Sequence, residues 1–247
     1  PVKISSEFSE LYEKAVSISL SSDGSFDFTV LPLVKLWGFG PEFNNSKIPS
    51  KEKINDIMHY TGINKLEFTD GYLSKLNKNV QIDFSAIAKG WGVDRVALFL
   101  NSQGFENYMV EIGGEIRIAG FNNLNSKWSL GISTPEDSAT ELYTTITVSD
   151  LAVATSGSYN NYFTLENTNY SHIINPKIGY PIKHDLVSAT VVADDCATAD
   201  AIATAVMVKG FNLGLEWINS LQDIECLLVK ENDSGNYIAG KSSGFNY

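Results

Sequence analysis

The run CATADAIATAVMVKG at 196–210 constrains the fold more than any other segment. From Ala199 to Val208 it is apolar on nearly every side at helical spacing, the pattern of a helix buried all round. Such a helix needs a core around it, and 247 residues, 43% of them hydrophobic, are enough to build one. Only Asp200 and Thr204 interrupt the run. Four residues apart, they share one face, with Cβ atoms roughly 6 Å apart. Two readings of the pair stand. A carboxylate on a buried helix is costly unless it is paired or binds a metal, and an oxygen pair of this kind suits a hard cation such as Mg2+. In the other reading, Asp200 caps the helix start and Thr204 bonds back to a main-chain carbonyl.

The net charge of −11 argues against a nucleic-acid partner, because phosphate binding needs a basic face. Two cysteines, Cys196 and Cys226, are too few for a disulfide framework and lie in apolar surroundings, so both are expected as free buried thiols. No stretch approaches the ~20 apolar residues that span a bilayer, and no signal peptide is present. The chain opens on Pro1 rather than Met, so a processed or truncated chain whose address has been removed is expected.

Periodicity predicts helices over 6–20, 51–61, 85–101, 197–209 and 211–220. On the first, Phe8, Leu11, Ala15 and Ile18 share a stripe; Gly104 and Gly210 are placed to end the third and fourth. Short strands are predicted within 65–83 around an Asp70-Gly71 turn, at 107–112 and 115–119 around Gly113 and Gly114, and at 128–133, 141–149, 186–193 and 224–230. Strands and helices mix without strict alternation, which makes the fold class α+β. No Pro-, Gly- or Ser-rich linker appears, so one domain over 1–247 is expected.

Four further segments carry candidate chemistry. DFSAIAKG at 83–90 reads as a strand end passing into a helix start, where free N–H groups and Lys89 suit a phosphate. Its alternative is an Asp83 or Ser85 cap beside a solvated lysine. SDGSFD at 22–27 reads as a tight turn whose glycine lets a flat ligand approach the backbone, or as an ordinary turn. SHIINPKIGYP at 171–181 puts His172 on an apolar strand before a Pro-Gly loop, as a catalyst or as a satisfied core residue. EIGGE at 111–115 reads as a bulge or bend.

Taken together and in order, the segments resemble the ApbE family of FAD:protein FMN transferases, once called thiamine-biosynthesis lipoproteins. The matching strings are SDGSFDFTVLPLVKLWGFG at 22–40, DFSAIAKGWGVDRV at 83–96, YMVEIGGEIRIAG at 108–120, ATSGSYNNYF at 154–163, SHIINPKIGYPI at 171–182 and CATADAIATAVMVKG at 196–210. The resemblance implies a single α+β domain of the T-fold type, with mixed or antiparallel sheets and packed helices, that binds FAD beside Mg2+. It implies metal ligands from Asp200, Thr204 and the Ala86 carbonyl. FAD contacts fall on Asp83, Lys89, His172, the main chain of Ile174, and the backbone of Gly24, Ser25, Phe26 and Asp27. His172 and Asp200 are the candidate catalytic bases. The implied reaction moves FMN from FAD onto a Thr or Ser hydroxyl of an acceptor protein in a membrane redox complex and releases AMP. The enzyme is expected outside the cytoplasm, held to the membrane only by a lipid anchor that this chain lacks. The competing readings are a Mg2+-dependent FAD pyrophosphatase and a protein that binds or stores FAD without turnover.

Three departures from the family pattern stand out. Asn175 and Ile178 occupy positions where the family usually has Asp and Thr, which is expected to weaken loop packing or ligand contacts. Ser25 stands where alanine is commoner. The family usually carries several dozen residues before the first helix seen here, including a Met-Gly-Thr strand bordering the flavin. FAD binding is expected to weaken without that strand unless a loop such as 41–50 closes the cleft.

Overall fold

The computed structural model describes residues 1–39, 48–136, 141–158, 161–166 and 168–247. Residues 41–47 of the loop considered as flavin cover, and Tyr159 and Asn160 of one matching string, lie outside them. In chain order the elements are β1 (Val2–Lys3), α1 (Ser6–Ser21), α2 (Leu31–Leu36), α3 (Lys51–Met58), β2 (Leu66–Thr69), β3 (Tyr72–Lys75), α4 (Ala88–Ser102), β4 (Tyr108–Ile112) and β5 (Glu115–Ala119). They continue with β6 (Trp128–Ser133), β7 (Leu142–Val148), β8 (Ala152–Gly157), β9 (Tyr162–Leu165), β10 (Thr168–Ser171), β11 (Ile174–Asn175) and β12 (Tyr180–Pro181). The last are β13 (Leu186–Ala193), α5 (Cys196–Lys209), α6 (Phe211–Ile218), β14 (Glu225–Glu231) and β15 (Tyr237–Lys241). The fold is α+β, and the strand pairs among the described residues are antiparallel. No helix among these residues is long and apolar enough to cross a membrane.

The chain divides into two compact units, and each has its own core. The first comprises Pro1–Ala86 and Asn161–Lys183. Its α1 is capped by Ser5, whose hydroxyl accepts the Phe8 N–H at 3.2 Å, and it buries Leu11, Tyr12, Ala15 and Ile18. The Asp70-Gly71 turn forms as expected: both residues have positive φ, 53° and 78°, which suits a two-residue hairpin. It joins β2 to β3, and β1 pairs on the far side of β3. Helix α2, at LPLVKL, is absent from the expectations: six residues are too few to display a period, and Pro32 sits in its first turn, where a missing N–H costs nothing. Around Leu33, Trp37, Ile54, Phe163 and Ile174 it packs with α3 and the β9–β10 hairpin.

The second unit comprises Ile87–Asn160 and His184–Tyr247 and is built on one sheet in the order β15-β14-β13-β8-β5-β4. One face packs against helices: Val93 and Ala97 of α4 and Cys196 of α5 meet Tyr108, Val110 and Ala152. The other is covered by the β6–β7 hairpin, whose Leu130, Ile132, Ile146 and Val148 join Ile118, Val153, Val192 and Leu227. Cover on both faces explains why β13, LVSATVVA, is mostly apolar and buried at every position but Val187. Gly113 and Gly114, with φ of 62° and 96°, make the β4–β5 hairpin turn, so the bend is real and no bulge is involved, since Ile112 pairs Glu115 directly. Both cysteines are free and buried, and burial pushes both thiols far up, Cys226 to about 12.

Three helix boundaries differ from the periodicity by more than one residue, one of them the end of α6, at Ile218 rather than 220. Helix α3 stops at Met58 rather than 61. Helix α4 starts at Ala88 rather than 85, because Asp83 Oδ1 accepts the Ser85 N–H at 2.9 Å and closes a turn ahead of the helix.

Candidate functional site

Helix α5 is buried along its length, as its composition requires. Its cap is Asp195, whose side chain accepts the Thr198 N–H at 2.8 Å, so the reading of Asp200 as the helix cap is corrected. Asp200 lies more than a turn farther in and is 4% exposed. Its Oδ2 accepts the N–H of Gly90, in the first turn of α4, at 3.1 Å. That N–H carries the positive end of the α4 dipole, which favours a carboxylate. Burial pushes the Asp200 carboxyl up to about 6; the Gly90 N–H and Lys89 hold it down, and Glu115 adds to the rise. Thr204, one turn on and half-buried, places its hydroxyl 3.3 Å from Ser156 Oγ on β8, rather than bonding back as the alternative reading had it.

Lys89 precedes Gly90 and, although half-exposed, is paired rather than simply solvated. Its ammonium pairs with Oε1 of Glu115, the buried first residue of β5. The neighbouring turns are pinned by a second carboxylate. Asp94 of α4 accepts the Cys196 N–H on Oδ1 and the Ala197 N–H on Oδ2, each at 2.9 Å, and its Oδ1 takes Arg117 Nη1 at 2.6 Å. Asp94 thus anchors the start of α5, and with it the helix that carries Asp200 and Thr204. Hydroxyl and carboxylate oxygens are hard donors, so the Asp200 and Thr204 pair fits Mg2+. Among the described residues no three His, Cys, Asp or Glu side chains gather as a metal cage, so a cation here would also draw on other oxygens, such as phosphate and water.

The first unit holds the other candidates. The turn after α1 has φ of 55° at Asp23 and 69° at Gly24, and a Cβ added at Gly24 would meet nothing within 4 Å. Ser25 and Phe26 are buried, whereas Gly24 is half-buried, so the glycine is the part of this turn most open to a main-chain contact. Asp27 Oδ1 accepts both N–H and hydroxyl of Thr29, at 2.7 and 2.6 Å; burial raises its pKa and these bonds oppose the rise. The Asp83 N–H donates to the Phe28 carbonyl at 2.8 Å, which brings Asp83 beside that turn. Ala86 lies in the turn leading to α4.

His172 follows β10 and is half-buried. The Asn161 carbonyl accepts both the His172 N–H, at 3.0 Å, and its Nδ1, at 2.9 Å. A carbonyl can only accept, so Nδ1 carries the hydrogen and Nε2 is the ring's acceptor. Burial holds the imidazole pKa below 6.5, against the pull of the Asn161 bond. Ile174 is buried in its core and pairs with Pro181 across β11 and β12. The next loop is closed despite Asn175: Asn175 Oδ1 accepts the Lys177 N–H at 3.0 Å and its carbonyl accepts the Gly179 N–H at 2.9 Å, so an amide serves the turn as a carboxylate would. Ile178 is 56% exposed and packs little. Lys177 pairs with Asp23, tying this loop to the Asp-Gly turn.

Sequence reasoning missed Glu115, Asp94 and Arg117. A signal existed in EIRIA: Glu115 and Arg117, two apart on a strand, share a face and meet Lys89 and Asp94 of α4.

A sequence model of the ApbE family matches residues 1–228. The chain is 42% identical over 235 residues to a Vibrio cholerae serotype O1 protein named FAD:protein FMN transferase, covering 95% of this chain and 70% of that protein. To a Haemophilus influenzae protein of the same name it is 36% identical over 250 residues, covering 99% and 72%. The solved flavin transferase ApbE from Vibrio cholerae shares the fold with a TM-score of 0.89 at 40% identity, covering 99% of this chain and 77% of that one.

Proposed function

We propose, since this chain belongs to the ApbE family, that it is an enzyme that transfers FMN from FAD to a Thr or Ser hydroxyl of an acceptor flavoprotein and releases AMP. The observation that carries the reading is Asp200: a buried carboxylate on an otherwise apolar helix, one turn from Thr204 and within the charge field of Lys89. Such a group is costly to keep in a fold that does not use it. By the family's motifs, Asp200, Thr204 and the Ala86 carbonyl would hold Mg2+. FAD would meet Asp83, Lys89, His172, the Ile174 main chain and the backbone of Gly24, Ser25, Phe26 and Asp27. Mg2+ bound there would neutralise the diphosphate and make AMP a better leaving group. Lys89 would share that electrostatic work.

In the proposed reaction the acceptor oxygen bonds to the FMN-side phosphorus. The bond from that phosphorus to the bridging oxygen breaks, and AMP departs with the electron pair. The hydroxyl proton passes to a base, and His172 is the better suited of the two candidates: its Nε2 is an acceptor, and burial keeps the ring neutral at neutral pH. The reading also takes the acceptor to be part of a membrane redox complex and the enzyme to work outside the cytoplasm as a lipoprotein.

Incubation with FAD, Mg2+ and a flavin-acceptor peptide, read by mass spectrometry, tests the reaction. FMN-modified peptide with AMP is the expected product. Free FMN and AMP with unmodified peptide would mean hydrolysis, and unchanged FAD would mean binding alone. For His172→Ala the expected result is a kcat lowered by ~10^2- to 10^4-fold with a smaller change in KM for FAD, because a base acts in the transition state. The wild-type kcat should fall on the acid side with a midpoint below pH 6.5. A change confined to KM would leave His172 as a binding residue.

A further inference from the structure

We propose that Glu115 is a further member of the divalent-cation site, accepting through Oε2 from a water carried by the cation while Oε1 holds Lys89. The inference rests on the cation reading given above and adds a residue to it. Glu115 opens β5 with its side chain turned inward and is 2% exposed. Its Oε1 takes the Lys89 ammonium. Its Oε2 is buried, and among the described residues it is the one buried side-chain oxygen or nitrogen with no hydrogen-bond partner. An acceptor left so is destabilising, the more so when charged, so the geometry calls for a donor that arrives with a ligand.

The residues to which Glu115 and Asp200 are tied say which ligand. Lys89 and Gly90 are consecutive in the first turn of α4; Lys89 holds Glu115, and the Gly90 N–H holds Asp200. Two buried carboxylates are therefore tied to adjacent residues, and one half-exposed lysine serves both. An arrangement with this surplus of negative charge favours a divalent cation over an anion. Mg2+ takes one or two carboxylates directly and keeps several waters, which need acceptors of their own. Asp200 and Thr204 supply hard ligands, and Glu115 Oε2 supplies the acceptor for a bound water.

Mn2+, which replaces Mg2+ and is visible by electron paramagnetic resonance, tests this on the whole chain without flavin. Asp200→Asn should lose most binding, and Glu115→Gln should weaken it by ~10- to 100-fold, the usual effect of removing a group that holds a metal's ligand. Lys89→Met should bind Mn2+ at least as tightly as wild type, because a competing cation is gone and Glu115 remains. Wild-type affinity in Glu115→Gln, with binding lost in Asp200→Asn, would overturn this inference and leave the cation reading standing. Unchanged binding in Asp200→Asn, or none in wild type, would overturn the cation reading itself. Weak binding in Lys89→Met would mean that Glu115 merely places Lys89, which also overturns the proposal. If thermal melting shows that Glu115→Gln does not fold, Lys89→Met decides alone.

Discussion

Replacing Asp200 by Asn is expected to lower flavin transfer by roughly 10^3-fold or more and, without divalent cations, to stabilise the fold at neutral pH. The two effects have one cause. Asp200 is 4% exposed on a helix with no other carboxylate, and its neighbours compensate the charge only in part. Burial raises its carboxyl from 3.8 to about 6, so the folded state holds the proton more tightly than the unfolded state does. Below about pH 4 both states are protonated and the group costs nothing. As pH rises toward 6 the unfolded chain ionises first and stability falls; above 6 the full cost applies, about 3 kcal/mol for a shift of roughly two units. Asn keeps the size and an oxygen for the Gly90 N–H, and never ionises. Urea unfolding in EDTA should therefore show Asp200→Asn more stable than wild type at pH 7.5, with the gap closing near pH 4. Mg2+ should narrow the gap at pH 7.5, because it binds the native wild type and not the variant. Transfer at the wild-type rate in Asp200→Asn, or lower stability at pH 7.5, would defeat the argument.

What could be read before the fold was known depended on whether the information was local. Asp200 and Thr204 stand out because everything around them on α5 is apolar, and the hairpins at Asp70-Gly71 and at Gly113-Gly114 announce themselves by residues that tolerate positive φ. The start of α4 was misplaced because Ile87 and Ala86 continue an apolar pattern, while the turn that delays the helix is a single side-chain bond from Asp83. Strand β8, AVATSG, is made of small residues with no alternation and passes for a loop, although it is a central strand of its sheet. Asp94 was illegible, and the signal at Glu115 faint, for another reason. A lone carboxylate on a helix or strand reads as solvated, and each is buried only because a distant partner meets it. For Asp94 that partner is the start of α5, 102 residues away. Glu115 was hidden further by the Gly-Gly pair before it, which draws attention to the backbone.

Gly90→Ala is expected to lower stability by roughly 2 kcal/mol or more and to cut transfer at least tenfold, although it puts a better helix former inside a helix. In an unobstructed helix the exchange gains about 0.5–1 kcal/mol. Here the new Cβ would stand 2.3 Å from the Cys196 carbonyl oxygen, 2.6 Å from its carbon and 2.8 Å from Ala197 Cα. All three are main-chain atoms of the first turn of α5, so no side chain can swing aside. Nor can that turn recede freely, since Asp94 holds the N–H groups of both residues and Arg117 holds Asp94. Overpacking of this kind costs about 1–3 kcal/mol and sometimes more, which exceeds the gain in helix propensity. The displacement falls where activity is most sensitive: the Gly90 N–H carries the bond to Asp200, and a shift of about 1 Å in a reacting group can cost 10^2-fold in rate. Gly92→Ala is the matched control two residues on, where the Cβ would meet only Ile112 Cδ1 at an ordinary 3.7 Å. It should be neutral or slightly stabilising and fully active. If urea midpoints and kcat place Gly90→Ala alongside Gly92→Ala, the crossing of α4 and α5 yields at little cost, and the close approach at Gly90 does not set the position of Asp200.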